Sequence, residues 1–218
     1  MKKILALIAA SVASIAIAAA DPIVVGHGYL GFGALGTTFD KEKLTYTEDP
    51  SVFGAFGKNI SFGGGVGINI PFGGYFGVQP GVDFYVNNAG FKDGDDTYAF
   101  TYYSLDIPVL FTAKLEKWNF SIGPYLSIPV GKLFANKNDG GFVNYDCAKP
   151  VNFGITAGVG YEERLGMGRI VFGGRYMLDF LSTQDKKENA SGDNYVNFTR
   201  RALLIDIGYK LPLSFFGL

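Results

Sequence analysis

Tyr-Tyr-Ser-Leu-Asp-Ile-Pro-Val-Leu-Phe-Thr-Ala-Lys-Leu-Glu-Lys-Trp-Asn-Phe-Ser-Ile-Gly-Pro-Tyr, residues 102–125, alternates apolar and polar side chains on either side of Glu116-Lys117. That is the strand period, and it predicts a β-hairpin. Tyr103, Leu105, Ile107, Val109, Phe111, Ala113 and Leu115 share one face, and Tyr102, Ser104, Asp106, Thr112 and Lys114 share the other. An apolar band this long is too wide to leave in water. Ionisable groups at mid-strand on the opposite face would be costly in an oily interior unless paired. Apolar outside and polar inside is the arrangement of a membrane barrel.

The same alternation recurs along the chain. A glycine-rich first strand is predicted over Pro22 to Phe39, a second over Asn59 to Ile70, and a third over Tyr75 to Val86. The opening hairpin supplies the fourth and fifth, extended to about Val130. A sixth begins at Val151, a seventh follows the Leu165-Gly166-Met167-Gly168 turn, and an eighth covers Asn197 to Leu213. Long polar connections at Asp40 to Lys58, Asn87 to Asp96, Gly131 to Pro150 and Ser182 to Asn194 alternate with short turns. Outer-membrane barrels place short turns in the periplasm and longer loops outside. The expected fold is therefore all-β, an eight-stranded antiparallel up-and-down transmembrane β-barrel.

Residues 1–20 have a basic start at Lys2 and Lys3, an apolar run, and Ala18-Ala19-Ala20 before Asp21. This pattern predicts a cleavable secretory signal peptide with cleavage between Ala20 and Asp21, leaving 21–218 as one outer-membrane barrel domain. Beyond it no stretch approaches the roughly 20 apolar residues of a membrane-crossing helix. Cys147 is the single cysteine, which excludes an intramolecular disulfide in an exported chain and marks an incidental loop thiol. Charged residues make up 18% of the chain, against roughly 25% in ordinary soluble domains. The net charge of −1 offers no footprint for nucleic acid.

The competing architecture is a soluble eight-stranded ligand-binding barrel, with an apolar inside and a charged outside. Asp83, Asp106, Lys114, Glu162, Arg169, Arg175, Asp179, Asp206 and Lys210 all fall on the face opposite the apolar band, which favours the membrane barrel with these residues in its lumen. Counting from the tight turn sets Glu162 directly across from Arg169, and Asp179 facing Arg200 at the other end of the last hairpin. Either a polar pathway or a satisfied network in a closed lumen would use such pairs, and the narrowness of an eight-stranded barrel favours the closed lumen. Pro80, Pro108, Pro124 and Pro129 fall inside strands, where bulges or strand ends are expected. Phe72, Tyr75, Phe76 and Trp118 near the turns, with Phe100, Tyr103, Phe180 and Tyr195 near the loops, suggest two aromatic girdles.

Enzyme signatures are missing. The single histidine, His27, near the turn end of the first strand, reads as structural, and one His with one Cys gives no zinc cluster. Gly63-Gly64-Gly65-Val66-Gly67 lacks the following helix and Lys-Ser/Thr of a phosphate-binding loop. No cofactor and no catalytic residue is expected.

Tyr103-Ser-Leu-Asp-Ile-Pro-Val-Leu, Lys114 and Gly123-Pro124-Tyr125 resemble the pattern of the PorT-like outer-membrane β-barrel family of the porin class. The eight-strand layout resembles small barrels of the OmpX and OmpW type. The last strand, with Asp206, Gly208, Leu211 and Leu213, resembles the signal read by the barrel assembly machinery, although it continues to Leu218 without a terminal phenylalanine. The resemblance implies a non-enzymatic integral outer-membrane protein with outer-membrane lipid and the assembly machinery as partners. Its four long surface loops would contact an external ligand or host surface. A narrow channel for small solutes, porin-like or with hydrophobic access, is the alternative.

Overall fold

The computed structural model describes residues 22–41, 44–47, 60–72, 74–93, 96–137, 143–146, 151–180 and 195–217. The predicted signal segment, the Ala20/Asp21 cleavage position and Cys147 lie outside them. Ten strands follow in chain order: β1 (Ile23–Lys41), β2 (Leu44–Thr47), β3 (Ile60–Phe72), β4 (Phe76–Asp93), β5 (Asp96–Leu115), β6 (Trp118–Lys137), β7 (Val143–Asp146), β8 (Asn152–Leu165), β9 (Gly168–Asp179) and β10 (Tyr195–Pro212). All pairings are antiparallel, and β10 pairs with β1 to close the sheet. The closed barrel has eight strands. The short β2 and β7 extend the β1 and β6 ends away from it.

Alternation drives this closure. Many inward positions are small or polar, such as Ser61, Asn69, Gln79, Ser104, Ser127 and Thr156, all buried. Every barrel strand also turns a large apolar side chain outward: Leu30, Val66, Phe84, Phe111, Ile122, Val159, Phe172 and Ile205 are each more than two-fifths exposed. In water so continuous an apolar surface would aggregate, whereas lipid covers it. Among the described residues no helix is long and apolar enough to cross a membrane.

The first and last strands of the barrel begin and end at the same end of it, where Leu213 N–H donates to the Pro22 carbonyl at 2.8 Å. The short turns lie there too. One residue of each takes a left-handed conformation, Gly74 (φ 79°), Glu116 (φ 54°) and Gly166 (φ 60°), as tight hairpins require.

Two expectations about the strands need correction. The polar segment from Asn87 to Asp96 is not a long loop, because β4 and β5 continue their ladder from Asn87↔Tyr102 to Asp93↔Asp96. Likewise β6 runs through Gly131 to Lys137 and pairs with β7, so the predicted loop up to Pro150 is shorter. Strand hydrogen bonds use backbone groups, and polar side chains above the lipid belt do not oppose them.

The prolines act more gently than expected. Pro80, Pro108 and Pro124 leave the ladder register unchanged on either side. Among the described residues the ladder register shifts between Thr101 and Tyr103, opposite the Pro129 to Gly131 segment, where Gly131 has φ 78°. There Thr101 pairs with Phe134 and Tyr103 with Val130. An even shift preserves which face points inward, so the alternation survives the bulge.

Candidate functional site: the barrel lumen

The inward side chains form three tiers. In the tier farthest from the turns, Arg200 of β10 is 1% exposed. Its Nη2 donates to Asp106 Oδ2 at 2.7 Å and reaches Asp179 Oδ1 at 3.4 Å. Its Nη1 reaches Asn87 Oδ1 at 3.3 Å and Ser104 Oγ at 3.4 Å. The guanidinium lies 5.4 Å from the Tyr85 ring centroid and 5.0 Å from that of Tyr125. Tyr125 in turn donates its hydroxyl to Asp179 Oδ1. One cation thus holds two buried carboxylates, with two tyrosine rings near its guanidinium.

The middle tier repeats the design. Arg175 of β9 contacts Asp206 Oδ2 at 3.1 Å and Asp83 Oδ2 at 3.5 Å, with its guanidinium 4.6 Å from the Tyr29 ring centroid. His27 Nε2 lies 2.7 Å from Asp83 Oδ1. Tyr29 and Tyr85 direct their hydroxyls at Asp83 Oδ2, at 3.3 and 3.4 Å, and stack with centroids 5.3 Å apart. Leu110, Met177 and Leu204 are buried alongside the polar groups. Gly65 is what admits Asp83: a Cβ there would meet Asp83 Oδ1 at 2.1 Å.

At the turn end the charge balance reverses. Glu162 accepts from Lys114 at 2.7 Å and Arg169 at 2.6 Å on Oε1, and from Lys210 at 3.0 Å and Asn119 at 2.9 Å on Oε2. These groups line an open vestibule of about 610 Å³, together with Arg164, Tyr75, Phe76, Met167 and Pro212 among others. Just outside it, Lys117 donates to Glu163 at 2.6 Å. That hydrogen bond holds the exposed Glu163 carboxyl below its usual range and the Lys117 ammonium above its own.

Each polar residue assigned to the lumen from sequence can now be placed. Asp106 and Asp179 sit in the far tier, and Asp83, Arg175 and Asp206 in the middle one. Lys114, Glu162, Arg169 and Lys210 sit at the turn end, where Arg169 is half exposed at the rim. Glu162 pairs in register with Val171, and Arg169 with Arg164, so the Glu162–Arg169 contact is diagonal and not directly across. Arg200 does face Asp179, its backbone N–H donating to Asp179 Oδ2 at 3.0 Å. Its contact with Asp106 was missed, as were the inward Tyr29 and Tyr125. Alternation marks their faces, but partners on distant strands depend on the barrel's stagger, which no local pattern encodes.

Among the described residues no group of three or more His, Cys, Asp or Glu could hold a metal ion. The one His–Asp contact, His27–Asp83, is buried on both sides.

A family model described as "Outer membrane protein beta-barrel domain" matches residues 27–183. Comparison with curated proteins gives no match. Among solved structures, the chain is similar to Ail, the attachment invasion locus protein of Yersinia pestis, crystallised with the heparin analogue sucrose octasulfate. That match has 15% identity, covers 88% of this chain and 99% of that one, and has a TM-score of 0.42. Neisserial surface protein A matches at 13% identity over 87% of this chain and 96% of that one, with a TM-score of 0.42. The outer membrane protease OmpT of Escherichia coli matches at 8% identity over 88% of this chain and 95% of that one, with a TM-score of 0.40.

Proposed function

The chain belongs to the outer membrane protein beta-barrel domain family and is an integral outer-membrane protein; from that membership we propose a non-enzymatic surface barrel whose lumen is closed. The observation that carries this reading is the packing around Arg200. Arg200, Tyr85 and Tyr125 are at most 2% exposed, as are Leu110, Met177 and Leu204 in the tier below, so that both deeper tiers of the lumen are filled. Its residues outside the lipid belt, at the end opposite the turns, would then meet an external ligand or host surface. Asp83, Asp106, Lys114, Glu162, Arg169, Arg175, Asp179, Asp206 and Lys210 serve in this proposal as a structural network. On the same reading the chain is exported by a signal peptide cleaved after Ala20, and the barrel assembly machinery inserts it into outer-membrane lipid. The narrower PorT-like assignment rests on the Tyr103 to Leu110 and Gly123 to Tyr125 motif.

A narrow solute channel is the second reading, favoured by the open vestibule that enters the lumen from the turn end. Planar-bilayer recordings of the purified protein separate the two. The closed barrel gives no reproducible unitary steps. Large, regular single-channel steps would reject it, and surface binding that survives loop deletion while solute uptake is lost would reject the surface role.

A further inference from the structure

We infer that the turn-end vestibule is a binding site for a small, multiply charged anion, of the phosphoryl class, entering from the periplasmic side. The inference stands whether or not the far half of the lumen conducts. It starts from an imbalance of charge. Lys114, Arg169 and Lys210 converge on the single carboxylate of Glu162 at 2.6 to 3.0 Å, and among the described residues no second carboxylate makes an ion pair with any of them. Arg164 lines the same space.

Three cations against one anion leave a surplus of positive charge in a partly enclosed space. Structure alone does not call for it. The two deeper tiers each use one arginine for two carboxylates, so the lumen elsewhere leans the opposite way. Self-repulsion among neighbouring cations makes such a surplus costly, and a bound anion relieves it.

Hydrogen-bond capacity points the same way. The Glu162 carboxylate already accepts four donors, about the number of its lone-pair sites, and is saturated. The cations are not saturated. A lysine has three N–H donors and an arginine five, while Lys114 and Arg169 each make one of these contacts. Phosphoryl oxygens suit these spare donors, since arginine recognises them with paired N–H groups and lysine as a point charge.

Size and lining set the rest of the ligand. The volume of about 610 Å³ falls within the range of small-molecule sites, roughly 300–1,000 Å³. The walls add Tyr75, Phe76, Met167, Pro71 and Ile23, which would accommodate a less polar body beyond the anionic group. Because outer-membrane barrels put short turns in the periplasm, this mouth opens where both soluble phosphorylated molecules and inner-leaflet phospholipid headgroups are within reach.

The test titrates inorganic pyrophosphate into the full chain, folded in a zwitterionic detergent, by isothermal calorimetry. Wild type should bind saturably, with affinity falling as salt rises. K114Q/R169Q should weaken binding at least tenfold, whereas K117Q, which removes a cation of the same end outside the vestibule, should leave it unchanged. Glu162→Gln should tighten binding, an effect of opposite sign that misfolding would not produce. Heat-modifiable gel migration establishes that each variant is folded, and K114M alone replaces K114Q/R169Q if the double variant fails. In nanodiscs, anionic phospholipid that displaces pyrophosphate identifies a headgroup site, and undiminished binding identifies a soluble ligand; either supports the anion site. No binding by folded wild type, or equal loss in K117Q and K114Q/R169Q, overturns it.

Discussion

Arg200 and Asp106 meet across the full diameter of the barrel. Their strands, β10 and β5, are separated by three strands in either direction around the closed sheet, yet Nη2 and Oδ2 lie 2.7 Å apart. Arg175 of β9 and Asp83 of β4 span the barrel in the same way at 3.5 Å. Neighbouring strands are already joined by backbone hydrogen bonds. A strut between opposite walls constrains something the ladder does not, the cross-section of the lumen.

Removing the cation should therefore be far more damaging than removing the whole group. Arg200→Ala leaves Asp106 and Asp179 buried without their countercharge, and breaking a buried pair from one side costs about 3–5 kcal/mol. A triple variant, R200M/D106N/D179N, exchanges the charges for neutral groups and should recover most of that loss. Urea unfolding in lipid vesicles, followed by heat-modifiable migration, measures both. An unchanged midpoint for Arg200→Ala would show that the strut contributes nothing.

Glycine 154 makes room for Tyr125. A Cβ at that position would come within 2.3 Å of the Tyr125 ring and 2.4 Å of the Leu178 carbonyl oxygen, and backbone cannot give way cheaply. Gly154→Ala should destabilise the barrel by about 1–3 kcal/mol through overpacking. Gly26→Ala, where a Cβ would meet nothing within 4 Å, is the matched control and should be near neutral. Equal effects at the two positions in the same unfolding assay would refute the packing argument.

How much of this was legible beforehand depends on whether the signal was local. Facing was local. The parity of Asp83, Asp106, Arg175 and Asp206 against Phe84, Ile107, Phe172 and Ile205 places each residue inside or outside, and even the bulge near Gly131 preserves it. The Arg200–Asp179 contact was also within reach, because the two residues face each other on adjacent strands. The Arg200–Asp106 strut was not, since stagger between opposite strands accumulates over every intervening register. Strand length was lost for another reason. Asn87, Asn88, Lys92 and Asp93 make the end of β4 polar, and polar composition alone does not distinguish a strand beyond the lipid from a loop.

That segment yields a direct test. The β4–β5 ladder continues from Asn87↔Tyr102 to Asp93↔Asp96, so amides within residues 88–92 are held in strand hydrogen bonds. Hydrogen exchange of the protein in micelles should find alternate amides there protected well above loop rates. Exchange at free-loop rates from Asn88 onward would restore the reading of a long loop, and would shorten the proposed surface structure accordingly.

The lipid-facing belt makes the last prediction, because its energetic signature is depth. Ile205 is 61% exposed and lies near the middle of β10, between Leu30 and Gly174 of the neighbouring strands. Leu165, similarly exposed at 53%, sits beside the turn at the end of β8. In a soluble barrel both positions would face water, and a lysine at either would be close to neutral. In a bilayer Ile205→Lys should cost about 2–4 kcal/mol and Leu165→Lys about 0–1 kcal/mol, because the penalty for a lipid-facing lysine peaks at the midplane. Reversible unfolding from lipid vesicles measures the difference. Equal costs at the two sites would remove Ile205 from the membrane interior and, with it, the alignment of the belt along β10.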